Sequence, residues 1–338
     1  MSGAERPTHP GTPATGAHML GPHVVGQRVV VRRLLRGLTG PTGGPAMTDV
    51  LGTCELWADG RCLVRRESGE LVEVPIADIV SGKPVPPRPS RFSRLSAAEV
   101  ERRAAGLFRP GEALDCGGWV FRWSGGAHKR ASSILAAGEP EVPLEELLGA
   151  AEEFYGRRSM RPLAQVALGS WADEALSGRG WTDTHPGSEG VEVHLAGVAA
   201  LCRRLDGVDT GAVVHESSLS RAWLVGNERA LARYEAVEPT LRLDEAVFAS
   251  VLEGGRQVAR GRTNVAGEWS FFADLTVQPA HRRRGLAHVV MADAARWAAE
   301  RGATVMLLQV SGGNEPALRL YESLGFERHH RYRYLEAP

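Results

Sequence analysis

What this 338-residue chain lacks narrows its function first. No apolar run approaches the roughly 20 residues that a membrane-spanning helix needs. The first residues carry no charged stretch followed by an apolar one, so no export signal is visible and a cytoplasmic protein is expected. The four cysteines, Cys54, Cys62, Cys116 and Cys202, are scattered and form no C-x-x-C pair. That argues against a disulfide framework or a zinc site, and no metal is expected. An excess of charge is missing too. Lys+Arg and Asp+Glu stand at 40 each, which leaves no global field for nucleic acid or an anionic membrane. No G-x-G-x-x-G follows a strand pattern, and no Lys completes a Walker loop.

The remaining pattern divides the chain. Residues 1–20 are Pro, Gly, Thr and Ala with little apolar content, and a disordered tail is expected. Residues 21–85 alternate in short strands, with Asp59-Gly60 as a hairpin turn. This texture suggests a small SH3-like β-barrel. Its basic strand, with Arg28, Arg32, Arg33 and Arg36, reads as a solvated edge, since no aromatics interleave. Residues 86–95 are a Pro-rich linker. From 96 to 205 the pattern runs strand, strand, helix, strand, helix, strand. It includes a capping box at Ser96–Glu99 and an amphipathic helix over 143–157. Residues 198–221 read as a connector, 228–241 as a helix, and 246–263 as a hairpin around Glu253-Gly254-Gly255.

The stretch from Phe271 to Phe326 carries the chemistry. An apolar strand pattern over 271–277 ends at Pro279. Arg282-Arg283-Arg284-Gly285-Leu286-Ala287 follows, and then apolar residues recur at helical spacing up to Gly302. A strand, a basic turn and a helix N-terminus form an anion-binding device, because turn and helix N–H groups point to one place. Gly285 lets backbone approach a ligand, and the arginines supply forked donors for phosphate oxygens. A strand–helix connection with a solvated Arg cluster is the bland alternative. The next segment tips the balance: Asn314, Ala317, Leu320, Tyr321, Gly325 and Phe326 spell N-x-x-A-x-x-L-Y-x-x-x-G-F.

With these residues in view, the region from about Val247 to Leu335 resembles the GNAT family of acyl-CoA N-acyltransferases. The resemblance implies an α/β (α+β) GNAT fold with a central mixed sheet over 220–338. Residues 96–205 hint at a tandem, degenerate GNAT-like half without a usable coenzyme loop. It also implies acetyl-CoA as donor. Arg282, Arg283, Arg284, Gly285, Leu286 and Ala287 would hold its pyrophosphate, Leu275, Thr276 and Val277 its pantetheine arm, and Asn314 the cofactor or the splayed backbone. Tyr321 sits where the family's thiolate-protonating Tyr sits, with core packing as its other reading. Asp274 and Glu268 are base candidates, with a water relay as the alternative.

Further upstream, Arg122, Gly125-Gly126, Arg130-Ala131-Ser132-Ser133 and Gly138-Glu139-Pro140 look like the pattern of actinobacterial GNATs grouped with an N-acetylglutamate synthase type. The sequence departs from it at Ser132 and Glu139, and His128-Lys129 is unusual in the turn. The resemblance implies an arginine-biosynthesis role, with the α-amine of L-glutamate as acceptor and Arg122, Arg130, Ser132 and Ser133 lining its site. The alternatives are another amine (a protein lysine or N-terminus, an aminoglycoside, a polyamine) and a non-catalytic acyl-CoA sensor. A small-molecule amine is the expected partner, and a homodimer stays open.

Overall fold

A computed structural model of the chain describes residues 20–41, 43–66, 69–86, 90–106, 108–126 and 128–338. The tail expected over 1–20 therefore lies outside the described residues except for Leu20, as does part of the expected linker. The chain divides into two compact units between residues 89 and 90.

The first unit is a five-stranded antiparallel sheet. Its strands are β1 (Arg28–Thr39), β2 (Pro45–Ala58), β3 (Arg61–Arg65), β4 (Leu71–Pro75) and β5 (Ile79–Pro84). Their order is β4-β3-β2-β1-β5. Alternation sends Val29, Val31, Val50, Cys62, Val64, Val72 and Val74 into one core. Asp59 and Gly60 both take positive φ, 50° and 73°, as a two-residue hairpin turn requires. The Gly- and Pro-rich stretch over 37–45 is only partly a loop, because β1 runs to Thr39 and β2 begins at Pro45. Arg32 and Arg36 of the basic strand are paired with Asp49 and Asp78.

The second unit begins with α1 (Ala97–Ala105), capped by Ser96 Oγ accepting the Glu99 N–H. It continues with β6 (Glu112–Cys116), β7 (Trp119–Trp123), β8 (Ile134–Leu135), α2 (Leu144–Gly156), β9 (Leu163–Ala167), α3 (Trp171–Ser177), β10 (Thr182–Asp183) and β11 (Val191–Gly197). The expected connector over 198–221 instead folds into α4 (Val198–Arg204) and β12 (Val213–Glu216). Val198, Leu201 and Leu205 of that stretch join the core at helical spacing, a period only about two turns long. The helix expected over 228–241 is two helices, α5 (Glu228–Leu231) and α6 (Tyr234–Leu241). Then come β13 (Ala246–Glu253), β14 (Arg256–Ala266), β15 (Trp269–Val277), α7 (Leu286–Glu300), β16 (Val305–Ser311), α8 (Glu315–Ser323) and β17 (Glu327–Glu336). Among the described residues no helix is long and apolar enough to cross a membrane.

These strands make one mixed sheet ordered β12-β13-β14-β15-β16-β11-β17-β9-β8-β7-β6, with β10 beside β17. Two similar runs are visible. One is β6-β7-β8-α2-β9-α3-β11; the other is β13-β14-β15-α7-β16-α8-β17. Each contains one parallel pair, β8–β9 or β15–β16. Each surrenders its last strand to the other: β11 pairs with β16, and β17 pairs with β9. β11 and β17 then pair antiparallel at the middle. The halves expected at 96–205 and 220–338 are thus parts of one compact unit.

Candidate active site

The site starts where two parallel strands stop pairing. β15 and β16 are in register from Trp269↔Val305 to Phe272↔Leu308 and no further. Beyond that point β15 stays bonded to β14, and β16 to β11. One edge of Ala273–Val277 is therefore left without a strand partner. A bulge sharpens the divergence, because Gly261 alone lies opposite Asp274 and Leu275. Asp274 adopts φ 60° there, an uncommon conformation for a residue with a Cβ. Gly261 is required by packing. A Cβ on it would lie 2.5 Å from Val290 Cγ1 of α7 and 3.0 Å from Phe272 Cε2.

The loop after β15 delivers the chain to α7. Its cap residue, Gly285, has φ 78°, and no side chain caps the helix. Arg283 is also left-handed, at φ 63°. Arg282 donates through Nε to the Val277 carbonyl. Arg284 is held by Glu253 in a two-bond pair at 2.7 and 3.1 Å. Arg282, Arg283 and Arg284 are all exposed, and α7 has no acidic residue in its first turn. A diphosphate fits such a terminus, which offers free N–H groups, the positive dipole end and guanidinium donors. In the first half, α2 stands in the place of α7 and opens with Glu145 and Glu146 in its first turn, which would repel a phosphate. The strand ahead of it, β8, is only two residues long.

Tyr321, on α8, is buried at 7% exposure and packs edge-on against Phe326. Burial, with Asp274 adding to it, pushes its phenol up to about 12. Its hydroxyl makes no hydrogen bond among the described residues. Asn314 caps α8, its Oδ1 accepting the Ala317 N–H at 3.4 Å.

Around Asp274 and Phe271 of β15 the walls are cationic. Arg262 is 1% exposed; its Nε lies 3.4 Å from Asp274 Oδ2, and its Nη1 donates to Asn264 Oδ1. Arg130 comes from the first half and donates to Tyr332 Oη at 2.7 Å. Tyr332 in turn donates to Gln309 Oε1 of β16 at 3.3 Å. Both guanidinium groups lie over the rings of Phe108 and Phe271. Arg130 Nε and Gln309 Nε2 are buried with no hydrogen-bond partner, and Arg130 makes no ion pair among the described residues. His128 stands at the same place. Its side chain is exposed, yet desolvation by the surrounding atoms, with the charges of Arg130, Arg262 and Arg229, lowers its pKa below the usual 6.5 against the opposing pull of Asp274.

The structure therefore gathers Asp274, Leu275, Thr276, Val277, Tyr321 and Arg130 at the diverging strands. Arg282–Ala287 lie on the adjoining loop and helix end. Four expectations need correction. Glu268 sits at the opposite end of β15 from the bulge, exposed and 3.8 Å from Arg103, so it is no base. Arg122 is buried, with its guanidinium bonded to the Ser133 carbonyl and Oγ and to Gln165 Oε1. It serves the interior of the first half, and Ser133 with it. Ser132 Oγ accepts the Ser124 and Gly126 N–H groups and shapes the turn. His128 and Arg262 are what the sequence reading missed. Only the unusual His128-Lys129 pair in the turn hints at one of them, because the two halves contribute to one wall through pairing that no local pattern encodes.

Comparison with known proteins bears on the family. A family model described as "Probable histone acetyltransferase Rv0428c C-terminal" matches residues 98–335, most of the chain. The chain belongs to this family. A second model, the "Rv0428c N-terminal Sm-like domain", matches residues 23–83, so the first unit is Sm-like where the sequence suggested an SH3-like barrel. The fold is that of a GCN5-related N-acetyltransferase from Kribbella flavida: TM-score 0.52, 21% identity, 72% of this chain and 95% of that one. A tandem GNAT protein from the clavulanic acid biosynthesis pathway has the same architecture: TM-score 0.51, 14% identity, 72% and 89% covered. A streptothricin acetyltransferase from Streptomyces lavendulae is 43% identical over 53 residues, only 16% of this chain and 28% of that protein's length. The chain is thus a GNAT acetyltransferase by family, and acetyl-CoA is the donor of that type.

Proposed function

We propose that the protein transfers the acetyl group of acetyl-CoA to the primary amine of an acidic small molecule by direct attack, with L-glutamate as the first candidate. The observation that carries this is Arg130. It is a half-buried guanidinium that donates to Tyr332, over the Phe271 ring of β15, with no carboxylate within ion-pair distance among the described residues and a buried, unbonded Nε. A buried charge without a partner is costly, and an acceptor carboxylate supplies the partner. With Arg122 engaged elsewhere, Arg130 is the one arginine of the expected clamp left for the acceptor.

Acetyl-CoA supplies an activated thioester when bound. Arg282, Arg283 and the N-terminus of α7 would hold its phosphates, and the unpaired edge of Leu275–Val277 would hold its pantetheine arm. Three tasks remain for the protein. His128, kept neutral by its lowered pKa, takes a proton from the acceptor ammonium. Backbone N–H groups past the bulge donate to the carbonyl oxygen. Tyr321, kept protonated by its raised pKa, gives its proton to the leaving thiolate as the C–S bond breaks, and the second proton lost by the nitrogen as the amide forms restores the phenol.

A coupled free-thiol assay over a panel of amines tests this reading. Glutamate-dependent thiol release is expected, with KM for glutamate raised at least tenfold in Arg130→Ala. Turnover of cationic amines with none of acidic ones would sink it. The family description favours a second reading, acetylation of a protein amine; in the same panel it predicts turnover of lysine-containing peptides instead.

A further inference from the structure

A cavity of about 740 Å³ adjoins the segment that carries His128 and Arg130. Gly126, Lys129 and Ser132 of that segment line it, whereas His128 and Arg130 do not. Its cations come from four places in the chain: Lys129, Arg161 just after α2, Arg229 on α5 and Arg233 just before α6. None of them has a carboxylate within 4.0 Å among the described residues. Lys129 Nζ is occupied by Thr184 Oγ1 at 2.9 Å and His185 Nδ1 at 3.2 Å, and Arg233 donates to the Gly126 carbonyl. Two acidic residues also line the cavity. Asp183 is turned to Arg333, at 3.6 Å, and to the His185 N–H, while Glu336 makes no ion pair among the described residues.

The lining therefore carries two more positive than negative charges, and one of its two acids is already paired. Four cations around one concavity repel one another, and the two carboxylates of the lining, which act on Lys129, offset only part of that charge. Elsewhere in this unit exposed arginines commonly hold a carboxylate, as Arg179 holds Glu145 and Arg319 holds Glu315. The hydroxyls of Ser132, Ser159, Thr182 and Thr184 line the same cavity and add donors suited to anionic oxygens. Its volume lies in the range of small-molecule sites, roughly 300–1,000 Å³. Arg229 also acts on both His128 and Lys129, which ties the cavity electrostatically to the acceptor wall.

We propose that this cavity is a binding site for a multiply charged small anion, a carboxylate or phosphate compound. The anion has two possible sources: the distal end of the acceptor itself, or a separate effector whose occupancy changes the segment bearing His128 and Arg130. The site stands whether or not glutamate is the acceptor.

The test is calorimetric titration of the full chain with citrate and with inorganic pyrophosphate at low ionic strength. Saturating coenzyme A is present so that the N-terminus of α7 cannot bind the probe. One site is expected, weakened at least tenfold in Arg161→Ala and in Arg229→Ala, and weakened by added salt. Both arginines are exposed, so the variants should keep the wild-type thermal melt, and Lys83→Ala in the first unit should bind as wild type. No binding of either probe by the wild type overturns the proposal, as does unchanged affinity in both arginine variants. The sources separate in steady-state kinetics. A parallel rise of acceptor KM in the two variants assigns the anion to the acceptor. Unchanged acceptor KM, with citrate altering turnover of the wild type alone, assigns it to an effector. Because binding is read without turnover, failure of the glutamate reading leaves this result standing.

Discussion

Residue by residue, the proposed chemistry rests on two side chains whose surroundings move their proton affinities in opposite directions. His128 is pushed below its usual 6.5, so it is neutral and able to accept a proton at neutral pH. Turnover should fall only as pH drops below 6.5, where the imidazole protonates. Tyr321, pushed up to about 12, stays protonated over the whole working range. Its own alkaline limb is out of reach, and Tyr321→Phe should lower kcat by roughly tenfold or more without moving either limb, the size expected for losing one proton donor. The substitution keeps the ring contact with Phe326, so acetyl-CoA affinity should hold. His128→Gln should instead abolish the acid limb. A kcat–pH profile of the three proteins checks both, and a Tyr321→Phe enzyme with unchanged kcat would remove the phenol from the mechanism.

Among the elements, the loop between β15 and α7 makes the sharpest prediction. In the proposed function this loop holds the diphosphate of the donor, so its variants should separate the two parts of acetyl-CoA. Arg283→Ala should weaken coenzyme A binding by roughly tenfold, about 1.4 kcal/mol, the size of one charge-assisted hydrogen bond. Affinity for acetylpantetheine, which lacks the diphosphate, should be unchanged. Gly285→Ala should cost about 1 kcal/mol of stability through φ 78° alone, since nothing lies within 4 Å of the added Cβ. Calorimetry with the two thioesters and thermal melts check these; equal losses for both thioesters would mean that the loop does not hold phosphate. This loop was also the most legible part of the sequence. Its strand, glycine, arginines and helix are contiguous, and local pattern records local structure. The hairpin β13–β14 and the helices α2, α3 and α7 were readable for the same reason. The bulge at Asp274 was not, because it depends on Gly261 admitting Val290 from a helix some thirty residues on. α5 and α6 read as one helix because the break at Ala232-Arg233 contains no Gly or Pro. Glu268 misled because strand position alone does not say at which end of β15 the sheet opens.

Across the whole molecule, the exchange of final strands decides what can fold alone. β16 has β11 as its outer neighbour along its full length, from Val305↔Gly197 to Ser311↔Val191. β9 has β17, from Leu163↔Glu336 to Ala167↔Tyr332. Glu192 ties the two together. Burial alone would raise its pKa, but hydrogen bonds from His194 and Arg331 more than offset this and hold it below its ordinary value. Its contribution is present above the usual carboxylate pKa and lost as pH falls through the lowered one. A fragment of residues 206–338 contains the whole run from β13 to β17 but lacks β11, which flanks β16, and α4, whose Val198 and Leu201 share a core with α7. It would expose the edge of β16, whose inner residues Met306, Leu307 and Leu308 are all buried in the native sheet. It would also carry β17 with nothing to pair with. Such a fragment should be insoluble or should aggregate on refolding, whereas residues 90–338 should fold, melt cooperatively and bind coenzyme A with the affinity of the full chain. Size-exclusion chromatography, thermal melts and calorimetry of the two fragments decide it. A monomeric, coenzyme-binding 206–338 fragment would show that the exchanged strands are dispensable, and with them the argument that both halves are needed to build one acceptor wall.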